Sequence, residues 1–455
     1  MDPDEKKIGR WSWKYEIVKF LVRAAFYLFY RRIYVLGREN VPDGGGLIFA
    51  ANHQNALMDA LAVILTSKYQ PVYLARADLF RNPMIARILF FFKIMPVYRF
   101  RDGVDSMDRN EETFEKTSAI LSGGGCIGIM PEGNHGDQKR LRTLKKGVFR
   151  IAFRAAEIHD KSLDIKIIPV GLDYSSTTRV FEELVVNYGK PLQVSEYLDL
   201  YDLHPQKGIN AMRRDLAKSM KSLMIDVKDE SNYGKDELLL DIGFPLLLNQ
   251  LSGRLSGSLN RFEVRRVFTR SMYEYFENNP GQADQTRLKS ATLSELLSRY
   301  EVSPRSIEKH GRYKNILLVA ERVLCFPLFI AGYFLHIIPY VAIHIVLKKL
   351  KDPQFMSSLK FGVGFVVIPL NYILLAFLFF CNFPAAIAVI ILAAVPVTGF
   401  IGYLCNCHSQ EYKNKMHFRR ICRNNKDFAG AVEKLKSAII KDLAPVLSLA
   451  EEKLK

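Results

Sequence analysis

A histidine and an aspartate lie close together directly after a short apolar segment. The segment 47–51 has β character, and His53 and Asp59 follow it. An imidazole can take a proton near neutral pH, and a neighbouring carboxylate can fix its tautomer and stabilise the imidazolium. The pair therefore fits a general base. A histidine that only caps the end of a strand fits the same residues.

The residues around this pair predict a strand, a polar turn and then a helix. The helix is expected to begin at Ala56, with Asn55 as its N-cap. This order is how α/β folds present reactive side chains at one edge of a sheet. No serine or cysteine nucleophile of the usual kind lies nearby in the sequence, so a base at His53 would activate a hydroxyl group of the substrate.

Length and composition point to two or three structural units and to a membrane. The chain has 455 residues, a formal net charge of +17 and 49% hydrophobic residues. Such a charge calls for an anionic partner. Because the sequence contains no zinc-finger spacing, RNA-binding aromatic motif or P-loop, we expect membrane phospholipids and no nucleic acid.

The cysteines and the N-terminal residues indicate a reducing compartment. The six cysteines are scattered, which favours free thiols, and Cys126 is interpreted as a strand residue rather than a nucleophile. Cys405-Asn406-Cys407-His408 lacks a second ligand pair, so no metal site is predicted. The acidic start lacks a signal-peptide n-region, so export is not expected.

Residues 35–192 are predicted to form one α/β domain. Short β-rich segments alternate with helical ones, a pattern typical of a mostly parallel sheet flanked by helices. The predicted strands lie at 46–51, 72–75, 93–98, 126–130 and 165–170.

The remaining segments are predicted to be helical. Residues 1–34 contain an amphipathic helix with many charges, interpreted as interfacial, with a core helix packed on the next domain as the alternative. Residues 193–315 are predicted to be a helical linker or scaffold. Residues 409–455 form a basic helical tail that fits an anionic membrane face.

Residues 316–408 are predicted to be the membrane region. Segments 361–381 and 383–405 are each long and apolar enough to cross a bilayer, and together predict a hairpin. Segment 323–347 is also apolar but contains prolines and histidines. One crossing there would place most flanking lysines on the side opposite a cytoplasmic catalytic domain. We therefore favour a re-entrant or in-plane segment, with a third full span as the alternative.

Three further stretches of the α/β domain carry residues suited to a phosphorylated substrate. Arg99 and Arg101 follow a predicted strand, and a guanidinium there can hold a phosphate through two parallel hydrogen bonds. A Pro131-Glu132-Gly133 turn follows another strand and precedes His135 and a cationic run at 139–146. A third strand is interrupted by Pro169.

The ordered combination of these blocks resembles the glycerolipid acyltransferase family, which includes glycerol-3-phosphate and 1-acylglycerol-3-phosphate acyltransferases. The resemblance covers residues 35–192. It implies transfer of an acyl group from a thioester to a glycerol hydroxyl. By this resemblance His53 deprotonates the hydroxyl and Asp59 orients His53, and the hydroxyl attacks the thioester without an acyl-enzyme.

The resemblance also assigns the acceptor site. Arg99 would hold the acceptor phosphate, and Glu132 with Gly133 would shape the site, while the cationic run would add to the field around the phosphate. Arg101 is either a second phosphate ligand or a solvated surface charge. No cofactor is implied beyond the donor substrate, acyl-CoA or acyl-carrier protein.

Two departures from the family pattern affect these assignments. The family has four residues between the histidine and the aspartate, whereas here five residues, 54–58, separate them. One extra residue turns a helical side chain by about 100°, so the loop must absorb it, or Asn55 replaces Asp59 as the partner. The third block continues with Asn134-His135 instead of Thr-Arg, which makes His135 a weaker, titratable cation.

The sequence thus predicts an integral membrane O-acyltransferase of phospholipid biosynthesis with its catalytic domain on the cytoplasmic face. The favoured acceptor is 1-acyl-glycerol-3-phosphate (lysophosphatidate), and glycerol-3-phosphate is the alternative. A hypothesis of another class is a non-enzymatic membrane protein that binds anionic lipids. A hydrolase of lipid esters is disfavoured because the sequence lacks a Gly-x-Ser-x-Gly nucleophile elbow.

Overall fold

The computed structural model describes residues 8–97, 106–158, 164–251, 258–307, 326–350 and 352–455. The chain divides into two compact units. The first unit comprises Met1–Asp226 and Lys351–Phe361, and the second comprises Val227–Leu350 and Gly362–Lys455.

The first unit is built on a mixed, mostly parallel sheet, as predicted. Its strands are β1 (Arg32–Leu36), β2 (Gly46–Ala51), β3 (Val72–Arg76), β4 (Ile94–Val97), β5 (Cys126–Ile129), β6 (Ile165–Tyr174), β7 (Glu183–Tyr188) and β8 (Leu192–Gln193). The order across the sheet is β1-β7-β6-β2-β5-β3-β4, with β8 paired to β6. Among the strands of the described residues, two pairings are antiparallel, those of β7 and β8 with β6.

Helices cover both faces of this sheet. They are α1 (Trp13–Phe29), α2 (Leu57–Thr66), α3 (Pro83–Phe91), α4 (Ser106–Ser122), α5 (Gly147–Glu157), α6 (Leu198–Leu203) and α7 (Pro205–Leu223). Every residue of β2 is buried. Leu47 and Phe49 join one apolar cluster, whereas Ile48 and Ala50 join another, as the alternation of a strand covered on both faces requires.

The first unit extends beyond the predicted boundary at residue 192. Four residues of α7 at helical spacing are buried in the core shared with α5: Ile209, Met212, Leu216 and Met220. The prediction of a linker from residue 193 is therefore wrong for this helix, because its amphipathic face needs the sheet domain to cover it.

Helix α1 packs on the sheet domain and also presents an apolar surface. Phe26 is fully buried, whereas Trp13, Phe20 and Leu28 are 59%, 66% and 79% exposed. The buried side fits a core helix packed on the next domain, and the exposed apolar side fits an interfacial helix. Insertion of the helix into a lipid interface stays a prediction.

The cations of α1 hold the C-terminal end of α2. Lys19 donates to the carbonyls of Ser67 and Tyr69 at 3.2 and 2.7 Å, and Arg23 donates to that of Leu65 at 2.9 Å. Burial lowers the pKa of the Lys19 ammonium to about 8. These cations face the domain because the last carbonyls of a helix lack partners within it.

The second unit contains a helical bundle joined to the membrane region. Its helices are α8 (Tyr233–Gln250), α9 (Ser258–Asn278), α10 (Pro280–Arg299), α11 (Phe326–Leu335), α12 (Ile337–Lys348), α13 (Met356–Asn382), α14 (Ala385–Asn424) and α15 (Lys426–Leu454), the first turns of α13 belonging to the first unit. Two segments, Pro353–Asn382 and Ala385–Asn406, are long and apolar enough to span a membrane, which matches the predicted hairpin.

Helix α15 shares one hydrophobic core with α8, α9 and α10. Its residues Val432, Ile439 and Leu443 are buried in the same cluster as Leu239 and Phe268. The bundle therefore covers the apolar side of this tail, and the fit of its basic residues to an anionic membrane face stays a prediction.

The shared core limits how often the chain can cross the membrane. Because α8–α10 precede the membrane region and α15 follows it, an even number of crossings must separate them. The two spans in α13 and α14 satisfy this rule. The pair α11 and α12 is bent by 71°. A third crossing there would place α15 on the wrong side, so the core favours the re-entrant or in-plane alternative for α11 and α12.

We predict that residues 298 and 349 lie on one side of the membrane and residue 382 on the other. In a cysteine-free background, Ser298→Cys and Lys349→Cys, both at exposed positions, would react together with a membrane-impermeant maleimide in sealed vesicles. Asn382→Cys, also exposed, would react only after the vesicles are opened. In vesicles of the opposite orientation, residue 382 would react at once, and residues 298 and 349 only after opening. Labelling of residue 298 together with 382, but not with 349, would show that α11 and α12 form a full span.

Candidate active site

The segment that carries His53 leaves β2 at the carboxyl edge of the sheet. Asn52 is fully buried, and its side chain forms two hydrogen bonds with the backbone of Leu172 on the neighbouring strand β6. Asn52 Nδ2 donates to the Leu172 carbonyl at 3.0 Å, and the Leu172 amide donates to Asn52 Oδ1 at 2.6 Å. The residue before His53 is thereby fixed to the sheet.

The structure brings His53 and Asp59 together in spite of the extra residue between them. His53 Nδ1 lies 2.9 Å from Asp59 Oδ2, and Asp59 is fully buried. The same oxygen accepts hydrogen bonds from the amides of Gln54 and Asn55 at 2.8 and 2.7 Å. Tyr174 at the end of β6 donates its hydroxyl to Asp59 Oδ1 at 2.7 Å.

The turn before α2 absorbs the extra residue. Ala56 has φ 43° and ψ −121°, a conformation that favours glycine and that side-chain-bearing residues rarely adopt. Asn55 neither caps the helix nor orients His53, since its buried side chain has no hydrogen-bond partner among the described residues. Both predictions for Asn55 are therefore wrong. Asp59, inside the first turn of α2, instead accepts from the amides of the loop before the helix.

A carboxylate at Nδ1 sets the chemistry of His53. Asp59 accepts a hydrogen bond from the N–H group at Nδ1 of His53. Nε2 is therefore the unprotonated nitrogen and can take a proton from a substrate. None of the hydrogen bonds between described residues involves Nε2 of His53, and the side chain is 18% exposed. Burial, and secondly the charge of Asp59, raises the pKa of Tyr174, which keeps this hydroxyl a donor.

Glu132 and Arg142 hold the backbone of His53, an arrangement we call the Glu132–Arg142 bracket. Glu132 Oε1 accepts from the His53 amide at 2.9 Å, and Oε2 accepts from Arg142 Nε at 2.7 Å. Arg142 Nη2 also donates to the His53 carbonyl at 3.3 Å, and the Gly136 amide donates to it at 3.0 Å. Glu132 is only 4% exposed. Its predicted role toward an acceptor stays a prediction.

The backbone around the site is also held by the turn at Gly133 and by side chains of the cationic run. Gly133 has φ 76°, in the left-handed region that glycine adopts without strain. Arg142 Nη1 donates to the His135 carbonyl at 2.6 Å. Lys139 pairs with Asp173 and donates to the Tyr174 carbonyl at 2.9 Å. Part of the charge that was predicted to surround an acceptor phosphate is therefore compensated within the domain.

His135 lies next to His53 and contacts a distant part of the chain. The two rings meet edge to face with centroids 5.5 Å apart. His135 Nε2 lies 2.9 Å from Asp352 Oδ2, and the ring of Phe355 packs against the ring of His135 at 4.9 Å. Asp352 and Phe355 belong to residues 352–361, a segment of the first unit that we call the strap.

The two predicted phosphate ligands Arg99 and Arg101 lie outside the described residues. Within the described part of the chain, no three His, Cys, Asp or Glu side chains are grouped so as to hold a metal ion. Three parts of the site were not predicted from the sequence: Tyr174, the contact of Arg142 with the backbone of His53, and the strap. Only Arg142 had a signal, as one member of the cationic run after the Pro-Glu-Gly turn.

Comparison with known proteins identifies the domain around this site. Residues 32–173 match the model of the acyltransferase family. The chain carries an acyltransferase-family domain. The resemblance inferred from the sequence blocks is thus confirmed, and the similar proteins include glycerol-3-phosphate and 1-acylglycerol-3-phosphate acyltransferases.

Two relatives illustrate the range of similarity. Glycerol-3-phosphate O-acyltransferase 1 of Saccharomyces cerevisiae is 24% identical over 268 residues, which are 58% of this chain and 34% of the yeast protein. The 1-acyl-sn-glycerol-3-phosphate acyltransferase of Borreliella burgdorferi is 24% identical over 214 residues, 46% of this chain and 80% of the bacterial protein. The chain thus spans about a third of the yeast relative.

A solved structure also matches part of this chain. The 1-acyl-sn-glycerophosphate acyltransferase PlsC of Thermotoga maritima is 18% identical, with a TM-score of 0.34. The match covers 48% of this chain and 83% of the solved one.

We predict that Tyr174→Phe lowers both stability and activity. The variant removes a hydrogen bond to a buried carboxylate, so the free energy of unfolding falls by about 1.5–3 kcal/mol and kcat of acyl transfer falls by about tenfold. Tyr188→Phe is a matched control, since its buried hydroxyl contacts Thr66 at 2.7 Å and not Asp59. Thermal unfolding and steady-state kinetics would check both. Equal kcat values in the two variants would contradict a role of Tyr174 in the site.

Proposed function

We propose that the acyltransferase-family domain moves a fatty acyl group from a thioester to a hydroxyl group of a glycerol phosphate in phospholipid biosynthesis. The observation that carries this proposal is the 2.9 Å contact between His53 Nδ1 and the fully buried Asp59 carboxylate. It leaves Nε2 of His53 as the base for a substrate hydroxyl.

In the proposed reaction His53 moves one proton twice. Nε2 takes the proton of the acceptor hydroxyl as its oxygen attacks the thioester carbonyl carbon, and Asp59 stabilises the imidazolium that forms. The tetrahedral intermediate then collapses with cleavage of the C–S bond. The departing thiolate takes the proton back from Nε2, which returns the imidazole to its starting form.

Direct transfer is supported by the placement of Cys126. Its strand β5 begins at Cys126, which lies in register with Leu47 at the start of β2, whereas His53 follows the other end of β2. Burial raises the pKa of the Cys126 thiol to about 11, so the thiolate is scarce near neutral pH. Cys126 is therefore unsuited to form an acyl-enzyme with His53 as its base.

The favoured acceptor is 1-acyl-glycerol-3-phosphate, with glycerol-3-phosphate as the alternative. Relatives named for each of these activities match the chain. The two helices that are long and apolar enough to span a membrane favour 1-acyl-glycerol-3-phosphate, because a lysolipid resides in the bilayer. Arg99, Arg101 and His135 are the proposed ligands of the phosphate that both acceptors share.

The proposed donor is acyl-CoA or acyl-carrier protein, both of which are anionic. A basic surface cavity of about 300 Å³ supports this choice. It is lined by Leu141, Arg142, Thr143, Leu144, Asn210, Arg213, Arg214, Ala217 and Lys221. The protein would be integral to the membrane, with the catalytic domain on the cytoplasmic face because lysines border the apolar segments.

We expect His53→Ala to lower acyl transfer by about a hundredfold to ten-thousandfold, the usual contribution of a general base. The purified protein in lipid nanodiscs would be assayed with acyl-CoA and acyl-carrier protein, each against glycerol-3-phosphate and lysophosphatidate. His204→Ala is the control, because His204 is exposed before α7 and its side chain makes no cap.

The assay also separates the proposal from its alternative. Transfer by the wild type that survives unchanged in His53→Ala would contradict the role of the base. Binding of anionic vesicles without transfer to either acceptor would favour a non-enzymatic lipid-binding protein.

A further inference from the structure

The strap packs on the catalytic domain, although in the sequence it follows α12 and includes the first residues of α13. Its C-terminal part is anchored on the domain at three points. Ser357 Oγ donates to the Thr177 carbonyl and Lys360 Nζ to the Thr178 carbonyl, both at 2.6 Å. The Phe361 ring, 7% exposed, packs edge to face on Phe26 and Phe29 of α1, with centroids 5.9 and 5.6 Å apart.

The N-terminal part of the strap reaches the ring next to His53. Asp352 Oδ2 contacts His135 Nε2 at 2.9 Å, while Asp352 Oδ1 accepts from the Gln354 amide at 3.0 Å. The second contact fixes the carboxylate at the start of a helical turn. Phe355, one turn later, packs against the His135 ring. The orientation of His135 is therefore determined by a carboxylate and an aromatic ring from a segment more than 200 residues away.

The charges around His135 suit the binding of an anion. The hydrogen bond to His135 lowers the pKa of Asp352, so the carboxylate is ionised near neutral pH. Among the described residues, the other titratable groups that contact His135 are the imidazole of His53 and the guanidinium of Arg142, which donates to the His135 carbonyl and is paired with Glu132. With Nε2 bound to Asp352, His135 can donate from Nδ1 only as an imidazolium. A phosphate at Nδ1 and Asp352 at Nε2 would both stabilise that form.

We propose that Asp352 is a positioning residue for the acceptor: it holds His135 as the imidazolium that binds the phosphate of the glycerol acceptor beside His53. This inference rests on the proposed function. The strap would thus keep the titratable His135 positively charged at the position where the family pattern has an arginine. The residue acts through His135, and the hydroxyl chemistry stays with His53.

The test compares Asp352→Asn with the wild type in steady-state acyl transfer. Loss of the charge-assisted contact is expected to raise KM for the acceptor by about tenfold. The values of kcat and of KM for the donor stay within about twofold, since neither depends on the phosphate contact. Asp352→Glu restores part of the acceptor affinity, which a purely structural role of the strap would not predict.

Two further variants make the result decisive. Asp164→Asn removes an exposed carboxylate just before β6, away from His135 and the strap, and it should leave the acceptor KM unchanged. In a His135→Ala background, Asp352→Asn should add no further rise in the acceptor KM. An unchanged acceptor KM in Asp352→Asn, a fall in kcat of the same size, or an additional rise in the His135→Ala background would overturn the proposal. Absence of transfer by the wild type would instead refute the proposed function.

Discussion

The structure of the site depends on the burial of one carboxylate. Asp59 is removed from water and accepts four hydrogen bonds, from His53 Nδ1, two backbone amides and the Tyr174 hydroxyl. A buried charge is costly unless such partners satisfy it. The loop between β2 and α2 must therefore fold around Asp59, even at the cost of the positive φ of Ala56. The contacts that order the turn before α2 therefore also position His53.

The rest of the domain makes this arrangement rigid. The Glu132–Arg142 bracket fixes the backbone of His53 from the β5 side, and Asn52 fixes the chain to β6. At the far end of α2, cations from α1 bind the last carbonyls. Each support comes from a strand end or a helix, and rigid elements position catalytic groups better than free loops. The position of His53 thus depends on contacts from most of the first unit.

The local patterns of the sequence predicted the central elements well. The strand at 46–51 agrees with the structure because a short continuous apolar run is typical of a strand that is buried on both faces. Strand β1 was missed because Arg31 and Arg32 follow α1 with no glycine or proline to mark its end. Helix α7 was assigned to a linker because amphipathic spacing does not tell which surface covers a helix.

The contacts that complete the site were beyond such patterns. Tyr174 is 115 residues from Asp59, and Asp352 is 217 residues from His135. No local spacing links residues so far apart, and only the folded sheet brings them together. The Asn55 predictions failed for a related reason, since the chain turns at Ala56, which takes the N-cap position, and Asp59 contacts His53 directly. Local propensity does not show how such a turn closes.

A double-mutant cycle between His53 and Asp59 tests the central claim most directly. If Asp59 acts by orienting His53 and stabilising its imidazolium, Asp59→Asn lowers kcat of acyl transfer strongly in the wild-type background. The same substitution then has almost no effect on the residual activity of His53→Ala, because the group it serves is gone. Additive losses in the double variant would contradict the account, for they would show that Asp59 supports activity without His53.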